Sequence, residues 1–108
     1  YLSGSEEGFA PPDPFDLTEM EAGELPPRTY SREELLSYLD QCRRKGRAII
    51  GALSADEAER LCRFPWGEMR YGELQLYNLR HVQEHAAQLH LFLGQRAGKA
   101  SRWVFEAE

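Results

Sequence analysis

Two histidines, His81 and His85, are the residues of this sequence whose type and spacing best suit chemistry. They lie four positions apart in the segment from Tyr71 to Gln95, which contains no proline and has glycines near both ends. Such a segment is typical of one long helix. Side chains at i and i+4 share a helix face, so two imidazoles at this spacing can reach one metal ion. The sequence therefore predicts a metal-binding pair on this helix.

The predicted helix presents two neighbouring stripes of side chains. At about 100° per residue, one narrow stripe contains Leu74, Asn78, His81, His85, Gln88 and Phe92. A second, apolar stripe contains Leu76, Leu79, Val82, Ala86, Leu89 and Leu93. We expect the apolar stripe to hold the helix in a bundle and the histidine stripe to face the interior. Asn78 and Gln88 are then candidates to orient the ring nitrogens or to hold water.

Two histidines do not complete a metal site. Zinc takes three protein ligands in a catalytic site and four in a structural site. The third histidine, His90, lies well off the stripe and is expected at the surface or at an interface. The alternative that both stripe histidines are hydrogen-bonded structural residues therefore stays open.

The same residues also spell the H-x-x-E-H motif of inverted zinc peptidases, with Glu84 between the histidines. In that mechanism the histidines bind zinc and the glutamate activates water. Glu84, however, falls on the outer side of the histidine stripe, and no later helix supplies an acidic ligand. The peptidase is a remote alternative.

Length and composition favour one small domain. The chain has 108 residues, of which 42% are hydrophobic and 29% are charged. Its net charge of -5 gives no basic footprint for nucleic acid. No apolar run approaches the length of a membrane span, and no signal peptide pattern is visible, so we expect a cytoplasmic location. Cys42 and Cys62 are too few to suggest a disulfide framework, and both are predicted to be buried small hydrophobes rather than reactive thiols.

The rest of the chain is predicted to form the segments that lead into the main helix, a helix that packs against it and a tail that follows it. Residues 1–30 hold five of the six prolines and are predicted to form a long loop over a bundle, with a short turn around Leu17–Ala22; a disordered tail is the alternative. Capping boxes predict a helix after Ser31 and a short helix from Ser54 to about Cys62. A turn with two aromatics is expected over 63–69, and an apolar patch at 102–105 can pack back on the bundle.

The segment FPWGEMRYGELQLYNLRHVQEHAAQLHLFLGQ and the closing SRWVF resemble the last helix and C-terminus of DinB-like proteins. These form the DNA-damage-inducible and YfiT-like superfamily of bacterial bundles. The resemblance implies an all-α fold, an up-down-down-up four-helix bundle. It also implies a zinc or nickel ion held by three histidines, of which His81 and His85 match the pair on the last helix. Metal-dependent hydrolases and thiol-dependent transferases are among such proteins, and their metal polarises water or a thiol.

The chain departs from this pattern at its start. We expect residues 1–108 to form a single DinB-like domain without its first two helices, with 1–30 as covering loop and 31–108 as the helical part. The first histidine ligand of such proteins lies on an upstream helix. Two helices alone cannot cover two buried stripes, so we expect either a homodimer or association with the missing helices. The functional alternative to a metalloenzyme for small-molecule substrates is a non-enzymatic helical interaction module.

Overall fold

Two long helices and a small β-hairpin dominate the structure, a computed structural model that describes residues 1–20 and 27–102. In chain order its elements are a 3-10 turn Leu17–Met20, helix α1 Arg32–Ala52, helix α2 Ala55–Ala58, strand β1 Leu61–Phe64, strand β2 Gly67–Arg70 and helix α3 Tyr71–Ala97. The predicted turn thus begins at Leu17 as expected, and Ala22 lies outside the described residues. So does most of the apolar patch predicted at 102–105.

Both predicted capping boxes are confirmed. The Ser31 hydroxyl accepts from the Glu34 amide at 3.2 Å, and the Glu34 carboxylate accepts from the Ser31 amide at 2.7 Å. Ser54 and Glu57 repeat the arrangement, with distances of 3.2 and 3.1 Å. Each box satisfies amides that the first helical turn leaves unpaired, so these two helix starts are decided locally.

A β-hairpin replaces the predicted end of the short helix and the turn after it. Helix α2 ends at Ala58, and Cys62 lies in β1. The strands are antiparallel, with Cys62 opposite Met69 and Phe64 opposite Gly67. Cys62 and Phe64 are buried, whereas the alternate residues of β1 are exposed, because successive side chains of a strand point to opposite faces. The all-α expectation is therefore corrected to a mostly helical fold with a small two-stranded sheet.

The core lies where the hairpin meets the start of α3. Cys62, Phe64, Tyr71 and Leu74 form its buried cluster, with Leu74 0% and Cys62 1% exposed. Ile49, Leu53, Met69 and Tyr77 pack against it, which brings the end of α1 to the base of α3. The prediction that Cys62 is buried is confirmed. The same prediction for Cys42 is wrong: that thiol is exposed on α1.

The N-terminal segment is anchored at two places. The Tyr71 hydroxyl donates to the Leu2 carbonyl oxygen at 2.6 Å, which ties the first residues to the base of α3. Phe15 is buried between the rings of Tyr30 and Tyr38, with centroid distances of 4.9 and 4.7 Å. The described part of this segment therefore contacts both long helices.

Most of the surface of the long helices is exposed. Among the described residues, α1 has no buried residue, and α3 buries only Tyr71, Leu74 and Gln75. The two stripes expected to be buried are therefore exposed beyond the first turns of α3, since nothing in the described chain packs over them. The radius of gyration is 16.0 Å, against about 13 Å for a compact chain of this length. Within the described segments, no helix is both long and apolar enough to span a membrane.

Candidate functional site

Helix α3 brings His81 and His85 together one turn apart. Their Nε2 atoms are 3.2 Å from each other, and their rings meet edge to face with centroids 4.6 Å apart. Both side chains are exposed. Because the helix continues for three more turns to Ala97, the pair sits on regular backbone rather than in a loop.

The spacing of the two nitrogens matches that of two ligands on one ion. Tetrahedral zinc with Zn–N bonds of about 2.0–2.1 Å places two ligand nitrogens about 3.3 Å apart. The observed separation of Nε2 atoms is 3.2 Å, and neutral imidazole nitrogen is a donor that zinc and nickel both accept. The pair therefore fits two positions of a divalent metal site.

Gln88 lies within hydrogen-bond distance of the pair, and Asn78 is engaged elsewhere. Gln88 Oε1 is 3.1 Å from His85 Nδ1. An amide oxygen can only accept, so Nδ1 carries the proton and the lone pair of neutral His85 is on Nε2, facing His81. Asn78 donates instead to Gln75 Oε1 at 3.4 Å. Of the two side chains proposed from the stripe, Gln88 is thus the one next to a histidine.

A row of aromatic rings leads from the core to the pair and was not predicted from the sequence. Phe64 and Trp66 stack at 4.8 Å, Trp66 and Tyr77 at 5.4 Å, and Tyr77 and His81 at 6.1 Å between centroids. The i, i+4 spacing of Tyr77 and His81 is a local signal for the last contact. The contact of Trp66 with Tyr77 depends on the hairpin folding back on α3, and no spacing rule reveals it.

A third ligand for the pair is not found in the described part of the chain, where no three His, Cys, Asp or Glu side chains are grouped to share an ion. Glu84, the glutamate of the peptidase alternative, is exposed. His90 contacts the Ser101 hydroxyl, so it faces the segment that follows α3 rather than the histidine pair. A catalytic site with three protein ligands would therefore need a ligand from outside the described residues.

A separate cavity of about 630 Å³ lies between the N-terminal segment and α1. Tyr1, Phe9, Tyr38, Cys42 and Lys45 are among its lining residues. Burial, and to a lesser extent the neighbouring Cys42, raises the pKa of the Tyr38 phenol. Neither His81 nor His85 lines this cavity.

These observations define a mostly helical protein with a histidine pair on its longest helix. The family model of the DinB superfamily matches residues 4–89, which is well over half of the 108 residues. The chain therefore belongs to the DinB superfamily, and the matched region includes both histidines. No curated protein and no solved structure matches it.

Proposed function

We propose that His81 and His85 are two ligands of a divalent-metal site, and that the completed site acts as a hydrolase or a thiol-dependent transferase on a small-molecule substrate. The observation that carries the proposal is the 3.2 Å separation of the two Nε2 atoms. Membership of the DinB superfamily supports it, because the resemblance of the last helix implies the same pair as ligands.

The roles of this chain's residues follow from their hydrogen bonds. His81 and His85 would hold the ion through Nε2. Gln88 would keep the His85 proton on Nδ1, so that the Nε2 lone pair, which faces His81 Nε2 at 3.2 Å, would be available to the ion. When bound, a zinc or nickel ion supplies Lewis-acid chemistry, which both hydrolysis and thiol transfer can use. The exposed α3 surface around the pair leaves room for the remaining ligand and the substrate.

The third ligand in this proposal is a histidine on a further helix that packs along α3. Leu79, Val82 and Leu89 lie beside the pair and are 54%, 65% and 68% exposed. Covering a stripe of this kind with a helix removes apolar surface from water, and it places side chains of that helix next to the imidazoles. A second copy of the chain on the same stripe is the competing outcome, and the mass in solution tests it.

The exposed stripes also favour a second candidate, a helical interaction module without catalysis. Eleven large apolar side chains of α1 and α3 are exposed: Leu35, Leu36, Leu39, Ile50, Leu76, Leu79, Val82, Leu89, Leu91, Phe92 and Leu93. Exposed apolar surface on this scale is typical of an interface. In a module of this kind, the histidines contribute to structure, and chelation of metal changes neither fold nor association.

Zinc and nickel titration of the purified chain, with elemental analysis and mass measured in parallel, tests the metal site. We expect one ion per chain or per dimer, and its loss in His81→Ala and in His85→Ala. His90→Ala is the matched control, since it removes an imidazole from the same helix away from the pair, and it should retain the ion. Equal loss in all three variants, or no binding by both the wild-type chain and a form extended upstream, would refute the metal site.

A further inference from the structure

Stacked aromatic rings connect the hairpin to His81 on α3. They are Phe64, Trp66 and Tyr77, each in contact with the next, and Tyr77 contacts the His81 ring. The stack begins at Phe64, which is 9% exposed and part of the core. Its planes stay close to parallel, with angles of 6° between Phe64 and Trp66, 22° between Trp66 and Tyr77, and 15° between Tyr77 and His81. Trp66 belongs to the hairpin turn, so the link joins residues that are distant in sequence.

An exposed imidazole on a helix is otherwise free to change rotamer. His81 must hold one ring orientation for its Nε2 to stay beside that of His85. A stacked neighbour restricts the ring, because offset-stacked aromatic pairs with centroids about 4.5–7 Å apart attract each other. Tyr77 supplies that neighbour on α3, and Trp66 in turn holds Tyr77 from the hairpin side.

We propose that Trp66, acting through Tyr77, positions the His81 imidazole for metal binding. The inference rests on the proposed function, in which His81 is a ligand, and it assigns the hairpin a part in the site. Neither Trp66 nor Tyr77 touches the ion in this arrangement; they are positioning residues. Ordering a ligand before the ion arrives lowers the entropy lost on binding, so the stack raises metal affinity without adding a ligand.

The position of Trp66 separates this role from a purely structural one. Trp66 is 45% exposed and lies outside the buried cluster of Cys62, Phe64, Tyr71 and Leu74. Replacing its side chain removes a ring contact from Phe64 but no buried side chain, and circular dichroism of Trp66→Ala checks that the fold is retained. Leu61 provides a matched control, because it is an equally exposed apolar residue of the same hairpin, at 47%, and takes no part in the stack.

The experiment compares zinc affinity of the full chain with that of Trp66→Ala, Tyr77→Ala, Tyr77→Phe and Leu61→Ala. We expect Trp66→Ala and Tyr77→Ala to weaken zinc binding by about threefold to tenfold. Tyr77→Phe keeps the ring and should bind as the wild type does, as should Leu61→Ala. Wild-type affinity in Trp66→Ala, or an equal loss in Leu61→Ala, would overturn the proposal while leaving the histidine pair as ligands.

Proton NMR of the imidazoles without metal tests the link independently of the proposed function. Trp66 stacks on Tyr77, so a change in the His81 ring signals of Trp66→Ala reports transmission through Tyr77. We expect those signals to shift and broaden, and the signals of His90 to stay unchanged. Unchanged His81 signals would overturn the proposal even if the chain binds zinc. If the His81 signals shift but the chain binds no zinc, the result would support the contact from Trp66 through Tyr77 to His81. It would count only against the proposed metal site.

Discussion

His85 Nδ1 lies 3.1 Å from Gln88 Oε1, one turn further along the same face of α3. The amide oxygen selects the tautomer in which Nδ1 carries the proton, and this leaves the Nε2 lone pair directed at His81. A partner that orients a ligand histidine in this way is common in metal sites. Here the orientation comes from a residue of the same helix, so it does not depend on packing against another element.

Gln88→Ala should weaken zinc binding by about tenfold to a hundredfold. The reason is that His85 loses the acceptor that holds its proton on Nδ1. Calorimetric titration with zinc measures the change. Gln83→Ala is the control, since Gln83 is exposed on another face of α3, and it should bind zinc as the wild type does. Equal affinities for Gln88→Ala and Gln83→Ala would mean that the tautomer is not set by Gln88.

Leu74→Ala should lower the free energy of unfolding by about 2–5 kcal/mol. Leu74 is completely buried where α3 meets the hairpin, so its truncation leaves a cavity in the small core. Leu76, two positions on, is 64% exposed, and Leu76→Ala should change stability by less than about 0.5 kcal/mol. Urea denaturation followed by circular dichroism compares the two. Similar losses in both variants would show that the core does not lie where the structure puts it.

Gly4→Ala should release the N-terminal segment, whereas Gly8→Ala should not. Both glycines have a left-handed backbone, with φ of 79° and 71°, so both substitutions carry the same backbone strain. A Cβ on Gly4 would lie 2.7 Å from the Arg60 guanidinium and 2.9 Å from Cys62 Sγ, while one on Gly8 meets nothing within 4 Å. Limited proteolysis should therefore cut Gly4→Ala faster. Equal rates would argue against close packing of Gly4.

Acid should weaken the starts of α1 and α2. The pKa of Glu34 is lowered, first by the hydrogen bond from the Ser31 amide and then by that serine's side chain. Ser54 lowers the pKa of Glu57 in the same way. A carboxylate with a lowered folded-state pKa stabilises the fold above its unfolded-state pKa, about 4.3 for glutamate. That stabilisation is lost as the pH falls through the lower folded-state value.

The Glu34→Gln, Glu57→Gln double variant isolates this effect. Glutamine keeps the capping geometry but does not titrate. The helical circular dichroism of the double variant should therefore change less than that of the wild type between about pH 5 and pH 3. A wild-type decrease that the double variant reproduces in full would assign the acid sensitivity to other carboxylates.

The predictable parts of the fold were those with local causes. Capping boxes at Ser31 and Ser54 need only residues three positions apart, and α3 needs only a proline-free periodic segment. The hairpin was missed because each strand has four residues, too few for an alternating pattern to stand out from a short helix. Its formation depends on burial of Cys62 and Phe64 against α3, which is a non-local contact.

For the candidate site, the sequence alone determined the facing of His81 and His85 and the nearness of Gln88. These follow from helical geometry, since i, i+3 and i, i+4 side chains meet on any regular helix. Only the tertiary structure decided that Trp66 reaches Tyr77, because that contact requires the hairpin to fold back on α3. It also decided that Cys42 is exposed, because no other element of the described chain covers that part of α1. A helix fixes which of its own residues share a face, but packing between elements determines what that face meets.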